Sequence, residues 1–190
     1  DKSAALDKFE CKMLAVELQD DIDMSAARPN ADDAFLRTFR LAMSVTGEYT
    51  SYFGGTKALA LAAINNTMTR VNGVFEKDFA TRMVLIANTA AVIYTSASTD
   101  PYSAASTGAG GAWNGELQST LTSVIGEANY DVGHLFGASG GGGNAGCIGC
   151  VCVNGQKGSG YTSPADGIPS GDNFDIDYVA HELGHQFGAN

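Results

Sequence analysis

The residues best suited to chemistry lie near the end of the chain, in the run His181-Glu182-Leu183-Gly184-His185. On an α-helix, histidines four residues apart share one face, so both imidazoles can bind the same zinc ion. A glutamate beside the first histidine can accept a proton from water that the metal activates. The spacing therefore predicts His181 and His185 as zinc ligands and Glu182 as the general base of a hydrolase.

The surrounding sequence predicts an amphipathic helix that would position these three residues. At about 100° per residue, one side of the helix is apolar and lies roughly opposite the two histidines. The apolar side consists of Ile176, Val179, Ala180, Leu183 and Phe187. Asp172 or Asn173 is the predicted N-cap, and Gly188 is the residue at which the chain is predicted to turn away. One face is thus expected to pack into a core and the other to line a cleft.

With Gly188 included, the motif reads H-E-x-x-H-x-x-G and resembles the metzincin signature H-E-x-x-H-x-x-G-x-x-H. The preceding D-I-D-Y-V-A at residues 175–180 resembles the approach to the active-site helix in reprolysin (adamalysin-like) metallopeptidases, especially secreted bacterial members. The resemblance implies zinc as the cofactor, with the histidines of the motif as its first two ligands and the glutamate as general base. It places the third histidine immediately after Asn190, one residue past the end of this sequence.

The resemblance extends over residues 36–190 and implies an α/β fold, the upper (N-terminal) subdomain of a metzincin catalytic domain. In that arrangement a twisted mixed β-sheet carries packed helices, and the H-E-x-x-H helix lies at the C-terminus. Residues 35–190 are then the first part of a catalytic domain whose lower subdomain is absent. Residues 1–34 are predicted to be an N-terminal segment, either a propeptide remnant or a linker. With two ligands, the chain is expected to bind zinc weakly and to cleave poorly.

Hydrophobic periodicity predicts the elements that would surround the active-site helix. Residues 39–46 alternate as a strand, and Thr56 caps a long helix. The apolar stripe of that helix consists of Leu61, Ile64, Met68, Val71 and Phe75. Residues 83–87 are a continuous apolar run, which indicates a central strand buried on both faces. A second helix after Gly115 and a third strand over residues 130–136 complete the predicted scaffold.

The third strand contains His134, the one histidine outside the motif. Alternation along the strand places it on the same side as aromatic residues. A histidine in that setting is more often structural than metal-binding, so His134 is predicted to belong to the core.

A glycine-rich run leads into the segment predicted to bind substrate. Residues 137–146 hold six glycines but no phosphate-binding pattern. The family resemblance implies an edge strand that lies antiparallel to the bound peptide. Residues 144–151 are the candidate for this strand. Residues 154–172 are predicted to be a polar loop that follows it. Small residues there would let a substrate backbone approach closely. The predicted substrate-binding residues are Asn144, Ala145, Gly146, Cys147 and Ile148.

The four cysteines bear on the cellular compartment: Cys147, Cys150 and Cys152 lie within six residues, and Cys11 stands far from them. A second zinc site would need another C-x-x-C pair, and a redox pair usually opens a helix. A disulfide in a secreted protein is therefore favoured, and its pairing stays open among the cluster, Cys11 and residues beyond the chain. Cys11 is also a candidate propeptide switch for the zinc, although a disulfide or a buried thiol is favoured.

Composition narrows the class of partner. A net charge of −10 and a pI near 4.5 argue against nucleic acid or an anionic membrane. No apolar run approaches the ~18–20 residues of a membrane span. A peptide or protein substrate fits these limits.

The function predicted from the sequence is zinc-dependent endopeptidase activity. One alternative is a catalytically silent, metalloprotease-like binding module, but an intact H-E-x-x-H motif favours an enzyme. Another is a thermolysin-like zinc hydrolase whose third ligand is a downstream glutamate, which the position of Gly188 disfavours.

Overall fold

Five β-strands form one sheet within residues 35–190, the part of the chain that the computed structural model describes. The strands are β1 (Arg37–Val45), β2 (Thr81–Leu85), β3 (Val132–Phe136), β4 (Gly142–Asn144) and β5 (Gly160–Ser163). Their spatial order is β2-β1-β3-β5-β4. The first four in this order are parallel, and β4 pairs antiparallel with β5 at one edge. The predicted N-terminal segment, with Cys11, lies outside the described residues.

Helices connect these strands. They are α1 (Gly47–Tyr52), α2 (Lys57–Phe79), α3 (Trp113–Val124) and α4 (His181–Gln186). Short helical stretches at Ala105–Thr107 and Gly108–Ala112 lead into α3, and a π-helical segment, Asn173–Ala180, leads into α4. Short 3₁₀ turns lie at Thr89–Val92 and Glu127–Asn129. No helix between residues 35 and 190 is long and apolar enough to cross a membrane.

The helix α2 begins where the sequence predicts. The hydroxyl of Thr56 accepts a hydrogen bond from the Leu59 N–H at 3.3 Å, so Thr56 is the N-cap. The predicted apolar stripe is buried at four of its positions, while Leu61 packs half-buried at the margin. The four buried residues are Ile64, Met68, Val71 and Phe75.

Apolar cores lie on both faces of the sheet, because successive side chains of β1 point to opposite sides. On one face, Leu41 and Met43 pack in the same core as the stripe of α2. On the other face, Ala42 belongs to a core that includes Trp113 and Leu117 of α3. The predicted α/β fold, a mixed sheet with packed helices, is therefore confirmed.

The prediction of a central strand over residues 83–87 is wrong. β2 is Thr81–Leu85 and lies at the outer edge of the sheet, beside β1. Burial alternates along it, and Val84 is 47% exposed, because α2 covers one face. The central positions belong to β1 and β3, and every residue of β3 is buried. An apolar run alone does not distinguish these two environments.

The strand β5 lies inside the segment predicted to be a polar loop. Its four residues are too few to show an alternating pattern, yet all of them are buried. Tyr161 is fully buried, and its hydroxyl donates to the carbonyl of Ala109 at 2.9 Å. By inserting between β3 and β4, this strand places β4 at the sheet edge.

Candidate active site

The H-E-x-x-H residues lie on α4, at the end of a helical stretch that begins with the π-helical segment Asn173–Ala180. Phe174, Val179 and Leu183 anchor this stretch, since all three are fully buried in the core that contains the α2 stripe. Full burial of a large apolar side chain contributes roughly 1.5–3 kcal/mol. Packing against the core therefore fixes the helix that carries the motif.

The predicted apolar face of this helix is correct except at one position. The residues that contact the core as predicted are Val179, Ala180, Leu183 and Phe187. Ile176 is half-buried, and Tyr178 is buried instead. The hydrogen bonds of a π-helix run from residue i to i+5, so its wider turns shift side chains away from the spacing assumed for an α-helix.

The start of the helical stretch is held by ion pairs and not by the predicted side-chain cap. Asp172 has helical backbone angles and makes no capping hydrogen bond; its carboxylate pairs with Arg70 of α2. Asp175, which is 5% exposed, accepts hydrogen bonds from Arg70 Nη1 and Thr67 Oγ1, each at 2.7 Å. These contacts tie the first turns of the active-site helix to α2.

Gly188 ends the helix, as predicted. Its φ of +101° lies in the left-handed region that favours glycine. The Gly188 N–H donates to the His185 carbonyl at 2.9 Å, and the Ala189 N–H donates to the Gly184 carbonyl at 2.9 Å. This pair of bonds is a Schellman motif. It brings the Ala189 carbonyl oxygen to 2.8 Å from Nδ1 of the His185 ring.

The two histidines of the motif direct their Nε2 atoms to one point, 3.0 Å apart. The Ala189 carbonyl can only accept, so in neutral His185 the proton is on Nδ1 and Nε2 carries a lone pair. Two nitrogen ligands at 2.0–2.1 Å from a tetrahedral zinc ion are about 3.3 Å apart. The observed separation is close to that value, so the residues present fit a zinc ion.

Both rings must be neutral to bind a metal, and the surroundings of His181 favour that state. Loss of solvent around the ring lowers the pKa of His181, and repulsion from His185 lowers it further. Among the side chains of residues 35–190, no three or more His, Cys, Asp or Glu are grouped to hold a metal ion. Among the described residues, the candidate ligands are therefore the pair His181 and His185.

Glu182 is fully buried, and its carboxylate lies directly against Gly143, the middle residue of β4. The sequence gives no role to Gly143, because nothing in a glycine run shows which residue a distant helix will contact. The candidate base therefore lies against the edge strand, on the same helix as the two candidate ligands.

His134 is placed in the core, as predicted. Its Nδ1 lies 2.7 Å from Oε1 of Gln186 and its Nε2 lies 2.8 Å from the Thr162 hydroxyl. Burial lowers the pKa of His134 to about 4, with an opposing contribution from the hydrogen bond to Gln186. The amide nitrogen of Gln186 also donates to the Gly133 carbonyl at 2.9 Å. In the sequence, the signal for this contact is a polar residue, Gln186, next to apolar positions of a helix.

The edge strand is predicted over residues 144–151, which is too far toward the C-terminus. The edge strand β4 is Gly142–Asn144, so Asn144 alone of the five predicted substrate-binding residues lies in it. The Asn144 side chain accepts a hydrogen bond from the Gly146 N–H at 2.6 Å, and Gly146 has a φ of +71°. This turn ends the strand, and Ala145, Gly146, Cys147 and Ile148 lie in the loop that follows.

The cysteine cluster forms a disulfide between Cys147 and Cys150, while Cys152 is free and exposed. The turn that this disulfide closes contacts the active-site helix, because the Gly149 N–H donates to the His185 carbonyl at 3.0 Å. Cys11, the other cysteine considered for pairing and for a propeptide switch, lies outside the described residues. The disulfide turn and the Schellman motif therefore both bond to His185, one of the two predicted ligands.

The mixed sheet, its antiparallel edge strand and the H-E-x-x-H helix define a metallopeptidase domain of the metzincin type. Residues 36–190 match the family described as metallo-peptidase family M12B, reprolysin-like. The protein therefore belongs to the reprolysin-like metallopeptidases, a family that normally uses zinc. The search of curated proteins finds no match to the chain.

Proposed function

We propose that this protein is a secreted zinc-dependent endopeptidase in which His181 and His185 hold the metal through Nε2 and Glu182 is the general base. The observation that carries the proposal is the convergence of the two Nε2 atoms, 3.0 Å apart, on the helix that also carries a buried glutamate. When bound, zinc would act as a Lewis acid toward the scissile carbonyl and toward water. Glu182 would accept the proton of the attacking water and later pass it to the leaving amine.

The substrate proposed is an extended peptide that pairs with the outer edge of β4. This strand is antiparallel to β5 and is the outermost strand of the sheet within residues 35–190, the position at which a peptide can add a strand. Gly142 and Gly143 carry no side chains, so a peptide backbone can approach closely. The strand lies against Glu182, and a peptide bound there would cross the base.

Secretion is proposed because the Cys147–Cys150 disulfide is typical of proteins that fold in an oxidising compartment. The acidic net charge of −10 suits a protein or peptide substrate better than nucleic acid.

The ligand count sets the expected behaviour of this chain. Catalytic zinc sites normally have three protein ligands and one open position. The residues described here supply two, so we expect the 190-residue chain to bind zinc weakly and to cleave poorly. A chain that continues past Asn190 with the family's third histidine is expected to bind one zinc ion per molecule.

The test compares zinc content and casein cleavage in the 190-residue chain and in the chain extended through a third histidine. In the extended chain, Glu182→Gln should keep the metal and lower kcat by at least ~100-fold, because general-base catalysis contributes 10²–10⁴-fold. Glu48→Gln, at an exposed glutamate, is the matched control and should change neither. Cleavage that persists in Glu182→Gln would overturn the role of Glu182 as general base, whereas an extended chain that takes up no zinc and cleaves no casein would favour the silent binding module.

A further inference from the structure

The middle of the edge strand has room for no side chain. A Cβ atom added to Gly143 would lie 2.4 Å from both Cγ and Oε1 of Glu182, and 2.5 Å from its Cδ. Real Cβ atoms do not approach heavy atoms this closely, so the glutamate occupies the space that any larger residue would need. Gly143 does not have a positive φ, so its backbone conformation does not require glycine.

A second glycine, on the neighbouring strand β5, makes the same kind of contact with the active-site helix. A Cβ atom added to Gly160 of β5 would lie 2.3 Å from Oε1 of Gln186. Glu182 and Gln186 are four residues apart and share a helix face. Their glycine partners lie on the adjacent strands β4 and β5. The active-site helix thus contacts the sheet with two polar side chains, and each of them packs against a glycine.

We propose that Gly143 is a positioning residue for the general base: the absence of a side chain there lets the edge strand lie against the Glu182 carboxylate and fixes its place. Gly160 has the corresponding role for the helix through Gln186. The catalytic part of this proposal rests on the function proposed above, whereas the contact itself does not.

The consequence is that one strand, β4, positions both the peptide substrate and the general base Glu182. The outer edge of β4 is the proposed binding site of the peptide backbone, and the strand also contacts the proposed base. A methyl group at position 143 must push either the strand outward or the carboxylate aside. Either movement changes the distance between the substrate and the base, because the three atoms nearest to the new carbon all belong to Glu182.

The first experiment is a double-mutant cycle on thermal stability, which requires neither metal nor activity. Gly143→Ala should lower the Tm of the otherwise unchanged chain by about 5 °C, the usual scale of overpacking. In a Glu182→Ala background the carboxylate is gone, and the same substitution should shift the Tm by ~1 °C or less. An equal loss in the two backgrounds, including failure of both variants to fold, overturns the proposed contact.

Two further glycines serve as controls. The three atoms nearest to a Cβ added at Gly160 all belong to Gln186, so the cost of Gly160→Ala should be the same in both backgrounds. Gly115→Ala, at an exposed helical position with open space around it, should leave the Tm unchanged or raise it.

The second experiment uses the zinc-loaded chain extended through the third histidine. Gly143→Ala should leave zinc affinity within about twofold and lower kcat by ~10-fold, with a smaller effect on KM. An unchanged kcat together with a confirmed stability cycle would show that the contact is structural and would overturn the positioning role. If no variant or parent chain cleaves peptides, the proposed function fails while the stability cycle still decides the contact.

Discussion

At the scale of single residues, the site depends on contacts that the H-E-x-x-H pattern does not contain. His185 is held at three points: its carbonyl accepts from the N–H groups of Gly188 and Gly149, and its ring bonds to the Ala189 carbonyl. The ring contact selects the tautomer whose Nε2 can bind a metal. The sequence identifies the ligand, and the residues after it determine its orientation.

The buried carboxylate of Asp175 leads to a prediction at this scale. Arg70→Ala removes one of the two side chains that donate to it and leaves a nearly buried charge with Thr67. We expect a loss of about 2 kcal/mol in the free energy of unfolding, measured by urea denaturation. Arg82→Ala is the control, since its pair with Glu76 is long, 3.5 Å, and exposed, and should cost ~0.5 kcal/mol or less. Equal losses for the two variants would contradict this account.

At the scale of elements, the sequence predicts the long periodic segments and misses the short ones. β1 and β3 are found because their sequences alternate, and α2 is found because it buries a stripe at helical spacing that includes Ile64, Met68 and Val71. β4 and β5 have three and four residues, so their place depends on pairing with distant strands. Their position in turn sets the substrate edge, which is why the predicted edge strand is displaced.

The disulfide turn after β4 is an element whose contribution can be measured. A disulfide that closes a loop of about four residues stabilises by roughly 2 kcal/mol in the chain-entropy account. Replacing both Cys147 and Cys150 by serine removes this constraint on the unfolded chain and should lower the free energy of unfolding by that amount. The same turn donates a hydrogen bond to the His185 carbonyl. Cys152→Ser, at a free and exposed thiol, should change it by ~0.5 kcal/mol or less. A double variant as stable as the parent would show that the turn is held by other contacts.

At the scale of the whole molecule, two effects of acidification oppose each other. The net charge of −10 means that protonation of exposed carboxylates relieves repulsion as the pH falls. His134 acts in the other direction, because it is fully buried between the sheet and the active-site helix and is bonded there in its neutral form. The core under the active site therefore determines a part of the acid stability that net charge does not predict.

The sign and size of the His134 effect follow from its pKa of about 4 in the folded protein, against an ordinary value of 6.5. The unfolded chain binds the proton first, so this contribution is complete above pH 6.5 and is lost as the pH falls toward 4. We expect the loss to be roughly 3 kcal/mol across that window. Urea unfolding at several pH values should show it in the parent chain, and His134→Gln should lack it while keeping the contribution of every other titrating group. If the two chains lose stability in parallel between pH 6.5 and 4, His134 is not the group responsible.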